Sequence, residues 1–130
     1  MTKTGFGLLL QNLREGRKLS LRELAQLSEV DHAYIYRLEN GEKVSPSEDV
    51  ILKLIRALKA GKREADMIRY LAKHTDTDNT LVDLILKDPT ISYEIFTSVA
   101  GAAFRGSGRP DYPKLIERVR KILKEEKKND

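Results

Sequence analysis

Ser20 to Asn40 reads SLRELAQLSEVDHAYIYRLEN, and few arrangements of a chain satisfy it. Ser20 and Glu23 have the spacing of a capping box, in which the hydroxyl accepts from the Glu23 amide and the Glu23 carboxylate accepts from the Ser20 amide. A helix therefore starts there, and Leu21, Leu24 and Ala25 give it one apolar stripe. Ser28, Glu29 and Val30 interrupt that pattern. Asp31 is a good N-cap for a second helix, which buries Ile35, Leu38 and part of Tyr34. His32, Ala33, Tyr36, Arg37 and Asn40 are left on the opposite side. Aromatic, amide and cationic groups on an open helical face suit base edges and phosphates.

Helices are predicted on both sides. Thr4 caps the first, with Phe6, Leu9, Leu10 and Leu13 along one face and Gly16 at its end. After Gly41 and the loop Glu42 to Pro46, Ser47 caps another, with Glu48 and Asp49 in its first turn, where acids suit the helix dipole. Val50, Ile51, Leu54, Ile55 and Leu58 face its core. Gly61 marks the boundary between an N-terminal domain, residues 1–60, and a C-terminal region, residues 61–130.

That second region is also helical. Ala65, Ile68, Leu71 and Ala72 have helical spacing, and the polar run HTDTDNT is a loop. Thr80 to Lys87 is a short helix that Asp88-Pro89 stops. Thr90 is expected to cap a longer helix carrying Ile91, Ile95, Val99, Ala102 and Ala103. The run from Arg105 to Pro110 is a break, and Asp111 or Tyr112 starts a last helix with Leu115, Ile116, Val119, Ile122 and Leu123. Ile91, Ile95, Val99, Leu115, Val119 and Ile122 are more apolar side chains than a small helical half buries alone, which points to a homodimer interface. The fold class is all-α.

Composition removes several alternatives. Lys and Arg number 24 against 20 Asp and Glu, a net charge of +4, mildly favourable for a nucleic-acid partner. Without cysteine there is no disulfide and no thiolate chemistry. No apolar run approaches a membrane span and no signal-peptide pattern opens the chain, so a soluble cytoplasmic protein is expected. His32 and His74 have no ligand partners at helical spacing, and no catalytic or phosphate-binding glycine motif occurs. Asp76, Asp78 and Thr80 mimic the start of a calcium loop, but Leu81 stands where that loop needs glycine and Lys87 where it needs glutamate. No enzyme activity, metal or cofactor is expected.

LRELAQLS, YIYRLENG and PSEDVILKLIRAL, within Phe6 to Leu58, resemble the lambda-repressor-like helix-turn-helix regulators, the XRE family. The resemblance implies an N-terminal helix-turn-helix domain that reads double-stranded DNA. It implies base contacts from His32, Ala33 and Arg37, to which the open helical face adds Tyr36. Phosphate contacts are expected from Arg17, Tyr34, Asn40, Lys43 and the helix start at Leu21. Relatives carry a polar side chain at the Leu21 position, so Arg22 substitutes here. The resemblance also implies an ion pair between Arg14 and Glu39. Glu29 departs from the family's usual glycine, at a turn needing positive φ.

In the second half, LVDLILKDPTI, AFRG and RPDYPKLIERVRKIL resemble the C-terminal region of small bacterial stress repressors, which a partner metallopeptidase inactivates by cutting that region. This implies a control point within Ala102 to Pro110, near Phe104-Arg105. The expected function is a sequence-specific transcriptional regulator, a repressor acting as a homodimer on a palindromic operator with half-sites about 34–36 Å apart. The alternatives are the antitoxin of a toxin–antitoxin pair and a protein-interaction adaptor.

Overall fold

Four polar side chains close the starts of the first four helices, each at the position where its residue type is best suited. The structure, a computed structural model, describes residues 3–105 and 108–128, with the side chains of residues 104 and 105 outside that description. Helix α1 spans Gly5–Gly16, and Thr4 Oγ1 accepts from the Gly7 amide at 3.0 Å. Helix α2 spans Leu21–Ser28 and carries the complete capping box, with the Glu23 amide donating to Ser20 Oγ at 3.0 Å and the Ser20 amide to Glu23 Oε1 at 2.9 Å. Asp31 caps α3, His32–Glu39, and Ser47 caps α4, Glu48–Leu58. A cap of this kind is worth about 1 kcal/mol. Helices α5 (Lys62–Lys73), α6 (Asn79–Lys87), α7 (Tyr93–Arg105) and α8 (Tyr112–Lys128) follow. The described residues contain no strand, so the fold is all-α.

The chain divides into two compact units, Met1–Leu86 and Lys87–Asp130. In the first, α1 packs on α3 and α5, α2 on α3 and α4, and α4 on α5. Leu9, Leu10, Leu24, Ile35, Leu38 and Leu54 are sealed in its centre, with Met67, Ile68 and Leu71 from α5 and Leu81, Val82 and Ile85 from α6. This unit runs past the boundary expected at residue 60. Gly61 is the N-cap residue of α5 rather than a break, because the apolar stripe of α5 is spent against α1.

The turn between α2 and α3 is left-handed at Glu29, with φ 61° and ψ 26°. A non-glycine residue there costs about 1–2 kcal/mol. The Glu29 amide still closes α2 by donating to the Ala25 carbonyl at 2.8 Å.

In the second unit α7 and α8 pair. Ile91, Phe96, Val99, Tyr112 and Ile116 are buried. The start of α7 differs from the expectation: its cap is Ser92, whose Oγ accepts from the Ile95 amide at 3.1 Å. Thr90 is drawn into a turn over Asp88 instead, donating its amide and hydroxyl to Asp88 Oδ1 at 2.9 and 2.6 Å, and accepting from Arg120 Nη2 at 3.0 Å. The six residues assigned to a dimer interface divide accordingly. Ile91 and Val99 are consumed by the chain's own core and present no surface to a second copy, whereas Ile95, Leu115 and Val119 are half-buried and Ile122 is 48% exposed. Within Ala102 to Pro110, residues 106 and 107 and the side chains of Phe104 and Arg105 lie outside the described residues.

Candidate nucleic-acid interface

Helix α3 is anchored by Ile35 and Leu38, both fully buried, and by Glu39 at 3% exposed. At 3.6 residues per turn this turns His32, Ala33, Tyr36 and Arg37 outward, and all four are exposed, Tyr36 to 51%. Arg37 Nε donates to the Ala33 carbonyl at 3.4 Å, which lays its stem along the helix and leaves the end of the guanidinium open. A planar fork with free donors is the geometry for bidentate recognition of a base edge. His32 stands in the first turn, Nδ1 3.8 Å from Asp31 Oδ1.

The seat of α3 is polar as well as apolar. Arg14 donates from Nε to Glu39 Oε2 at 2.7 Å and from Nη2 to Glu39 Oε1 at 2.9 Å, and its Nη1 donates to the Leu19 carbonyl at 2.8 Å. One guanidinium thus ties α1 to the last residue of α3 and to the loop before α2. The hydrogen bond to Glu39 raises the Arg14 pKa above its ordinary value despite the opposing effect of burial, so its charge is permanent. Gly7 completes the seat: a Cβ there would lie 2.6 Å from the carbonyl oxygens of Leu38 and Glu39.

Cations flank this face. Arg17, Lys18, Arg22 and Lys43 are exposed and form no ion pair among the described residues. Elsewhere in the unit Lys53 pairs with Asp49, Lys62 with Asp66, Arg63 with Glu64 and Arg69 with Glu48, while Arg56, Lys59 and Lys73 are exposed and form no ion pair among the described residues. Arg17, Lys18, Arg22 and Lys43 thus leave positive charge beside α2 and α3. Lys43 is held close to α3, because its amide and that of Glu42 both donate to the Arg37 carbonyl, at 3.2 and 2.9 Å.

The residues expected at phosphates are placed unevenly. Arg17 follows α1 directly, and Leu21 and Arg22 open α2, where the first amides have no intrahelical acceptor. Tyr34 is half-buried. Asn40 is partly spent, since its Nδ2 donates to the Tyr36 carbonyl at 2.8 Å and caps α3. Sequence reasoning missed Gly7 and the Leu19 carbonyl. A glycine inside an apolar helical stripe carries a signal of close approach; a carbonyl acceptor carries none. His74 stacks on Tyr70, ring centroids 3.9 Å apart. Among the described residues, no cluster of three or more His, Cys, Asp or Glu is arranged to hold a metal, and no helix is long and apolar enough to cross a membrane.

Residues 6–68 match a family model described as a helix-turn-helix domain. The HTH-type transcriptional repressor RghR of Bacillus subtilis is 48% identical over 54 residues, covering 42% of this chain and 40% of the relative. An uncharacterized HTH-type transcriptional regulator of the same organism, RghRB, is 41% identical over 54 residues, covering 42% and 39%. The chain thus spans about two fifths of the length of the curated relatives it matches. No solved structure gives a significant match. These are regulators of a non-enzyme family. The two-helix motif, the helices packed around it and the family match agree: the segment 6–68 is a lambda-repressor-like, XRE-type helix-turn-helix domain.

Proposed function

We propose that this chain is a cytoplasmic, sequence-specific DNA-binding regulator of transcription that acts as a homodimer on a palindromic operator. The observation that carries this reading is the exposed face of α3, polar and aromatic, bordered by cations that no acid among the described residues neutralises. Arg37, His32, Ala33 and Tyr36 read base edges in the major groove, Ala33 through its methyl alone. Arg17, Arg22, Tyr34, Asn40, Lys43 and the free amides at Leu21 hold the phosphates. Two copies meet through Ile95, Leu115, Val119 and Ile122 of the second unit. The name of the repressor RghR supports repression as the sign of the effect.

The test is footprinting of the purified chain on the DNA upstream of its own gene, followed by titration of two variants. Arg37→Ala lowers affinity and relaxes preference at one base pair per half-site, a loss of about 1–3 kcal/mol. Lys43→Ala weakens all sequences alike and lowers the salt slope by about one unit. Equal affinity for footprinted and scrambled DNA in the parent protein overturns the reading.

A further inference from the structure

Two glycines in α1 point to a role for α6. Positions two apart on a helix face about 200° from one another, so Gly5 and Gly7 look out from nearly opposite sides. A Cβ on Gly5 would lie 2.9 Å from Val82 Cγ2 and 3.0 Å from Leu71 Cδ2, while one on Gly7 would meet the Leu38 and Glu39 carbonyls. Helix α1 is therefore gripped between α5 and α6 on one face and the end of α3 on the other. Asn79 adds a polar tie at the same end, its Nδ2 donating to the Lys3 carbonyl at 2.7 Å. Val82 is fully buried. The far end of α6 is fixed too, because Arg63 Nη2 donates to the Ile85 carbonyl at 2.7 Å.

We propose that α6 is a brace for the α3 surface, with Asn79 and Val82 as positioning residues for DNA reading, a role that rests on the DNA-binding function proposed above. Val82 and Asn79 set the height of α1. Gly7 and Arg14 carry that setting to the last turn of α3. The smallest piece of the chain that reads DNA correctly then runs to Leu86, beyond the segment that matches the family model.

The test uses the full chain and three variants. Gly5→Ala pushes α1 off Val82 and Leu71, and Gly5→Ala with Val82→Ala removes the closer of those two contacts. Asn79→Ala removes only the tie to Lys3 and keeps the core intact if Gly5→Ala does not fold. In the free protein, the backbone amide resonances of Asn40 and Gly41 shift in Gly5→Ala and Asn79→Ala, and return in the double variant. Affinity for the footprinted DNA falls about tenfold in Gly5→Ala, within the range of one lost base contact, and recovers in the double variant. Amides that stay put in folded Gly5→Ala and Asn79→Ala overturn the proposal, as does a Gly5→Ala shift that Val82→Ala fails to reverse. A parent chain that binds no DNA specifically removes the regulator reading, while the amide shifts decide the brace without DNA.

Discussion

Gly7 and Glu39 meet backbone to backbone, with no room between α1 and the Glu39 carbonyl for so much as a methyl group. Gly7→Ala gains helix propensity of about 1 kcal/mol. It also drives a carbon into two carbonyl oxygens that cannot rotate away. Overpacking of this kind costs about 1–3 kcal/mol, so the urea midpoint of Gly7→Ala falls below that of the parent.

Arg14→Met leaves the Glu39 carboxylate buried without its partner. Breaking a buried pair from one side costs about 3–5 kcal/mol, whereas replacing both partners by apolar groups is often neutral. Equilibrium unfolding should therefore show a large loss for Arg14→Met and a substantial recovery when Glu39→Met is added. Equal losses in the single and double variants would show that the pair does not account for the effect.

Glu23 titrates below the ordinary carboxylate range, first because of its hydrogen bond with the Ser20 backbone and then that with the Ser20 side chain. A carboxyl depressed by folding contributes stability that is fully present above its unfolded pKa, about 4.3, and is lost as pH falls through the lower folded value. Glu23→Gln is less stable than the parent near neutrality, and the gap narrows below about pH 4. Urea midpoints at pH 7 and pH 3 check both the sign and the window.

Among the described residues of the second unit, Ile122 is the large apolar side chain left most exposed. Ile122→Glu places a charge in the proposed interface without touching the buried positions Phe96 and Val99. Sedimentation at tens of micromolar should show a dimer for the parent and a monomer for the variant, with helix content unchanged. A parent that sediments as a monomer while binding its operator fully removes the dimer.

The starts of α1 to α4 were legible because a cap is local: Thr4, Ser20, Asp31 and Ser47 each reach the amide three residues on. The start of α7 was ambiguous for the same reason. Thr90 and Ser92 are both capping residues, and only the competing claim of Asp88 on Thr90 decides between them. The buried face of α7 runs through Phe96 and Val99, three residues apart, while Ile95 is half-buried. The membership of α5 and α6 in the first unit depends on contacts far apart in sequence, such as Gly5 with Val82, which no local pattern reports. The exposed set on α3 followed from periodicity alone, once Ile35 and Leu38 were known to point inward. At Glu29 the backbone kept the left-handed turn that the family fills with glycine, so the departure shows in strain rather than in a changed path.

The amide of Lys43 donates to the carbonyl of Arg37. The loop after α3 is thereby tied to the helix it leaves, so the backbone of Lys43 keeps its place relative to that of Arg37. Under the function proposed above, one of these residues faces a phosphate and the other a base edge, and their backbones meet the duplex as one piece.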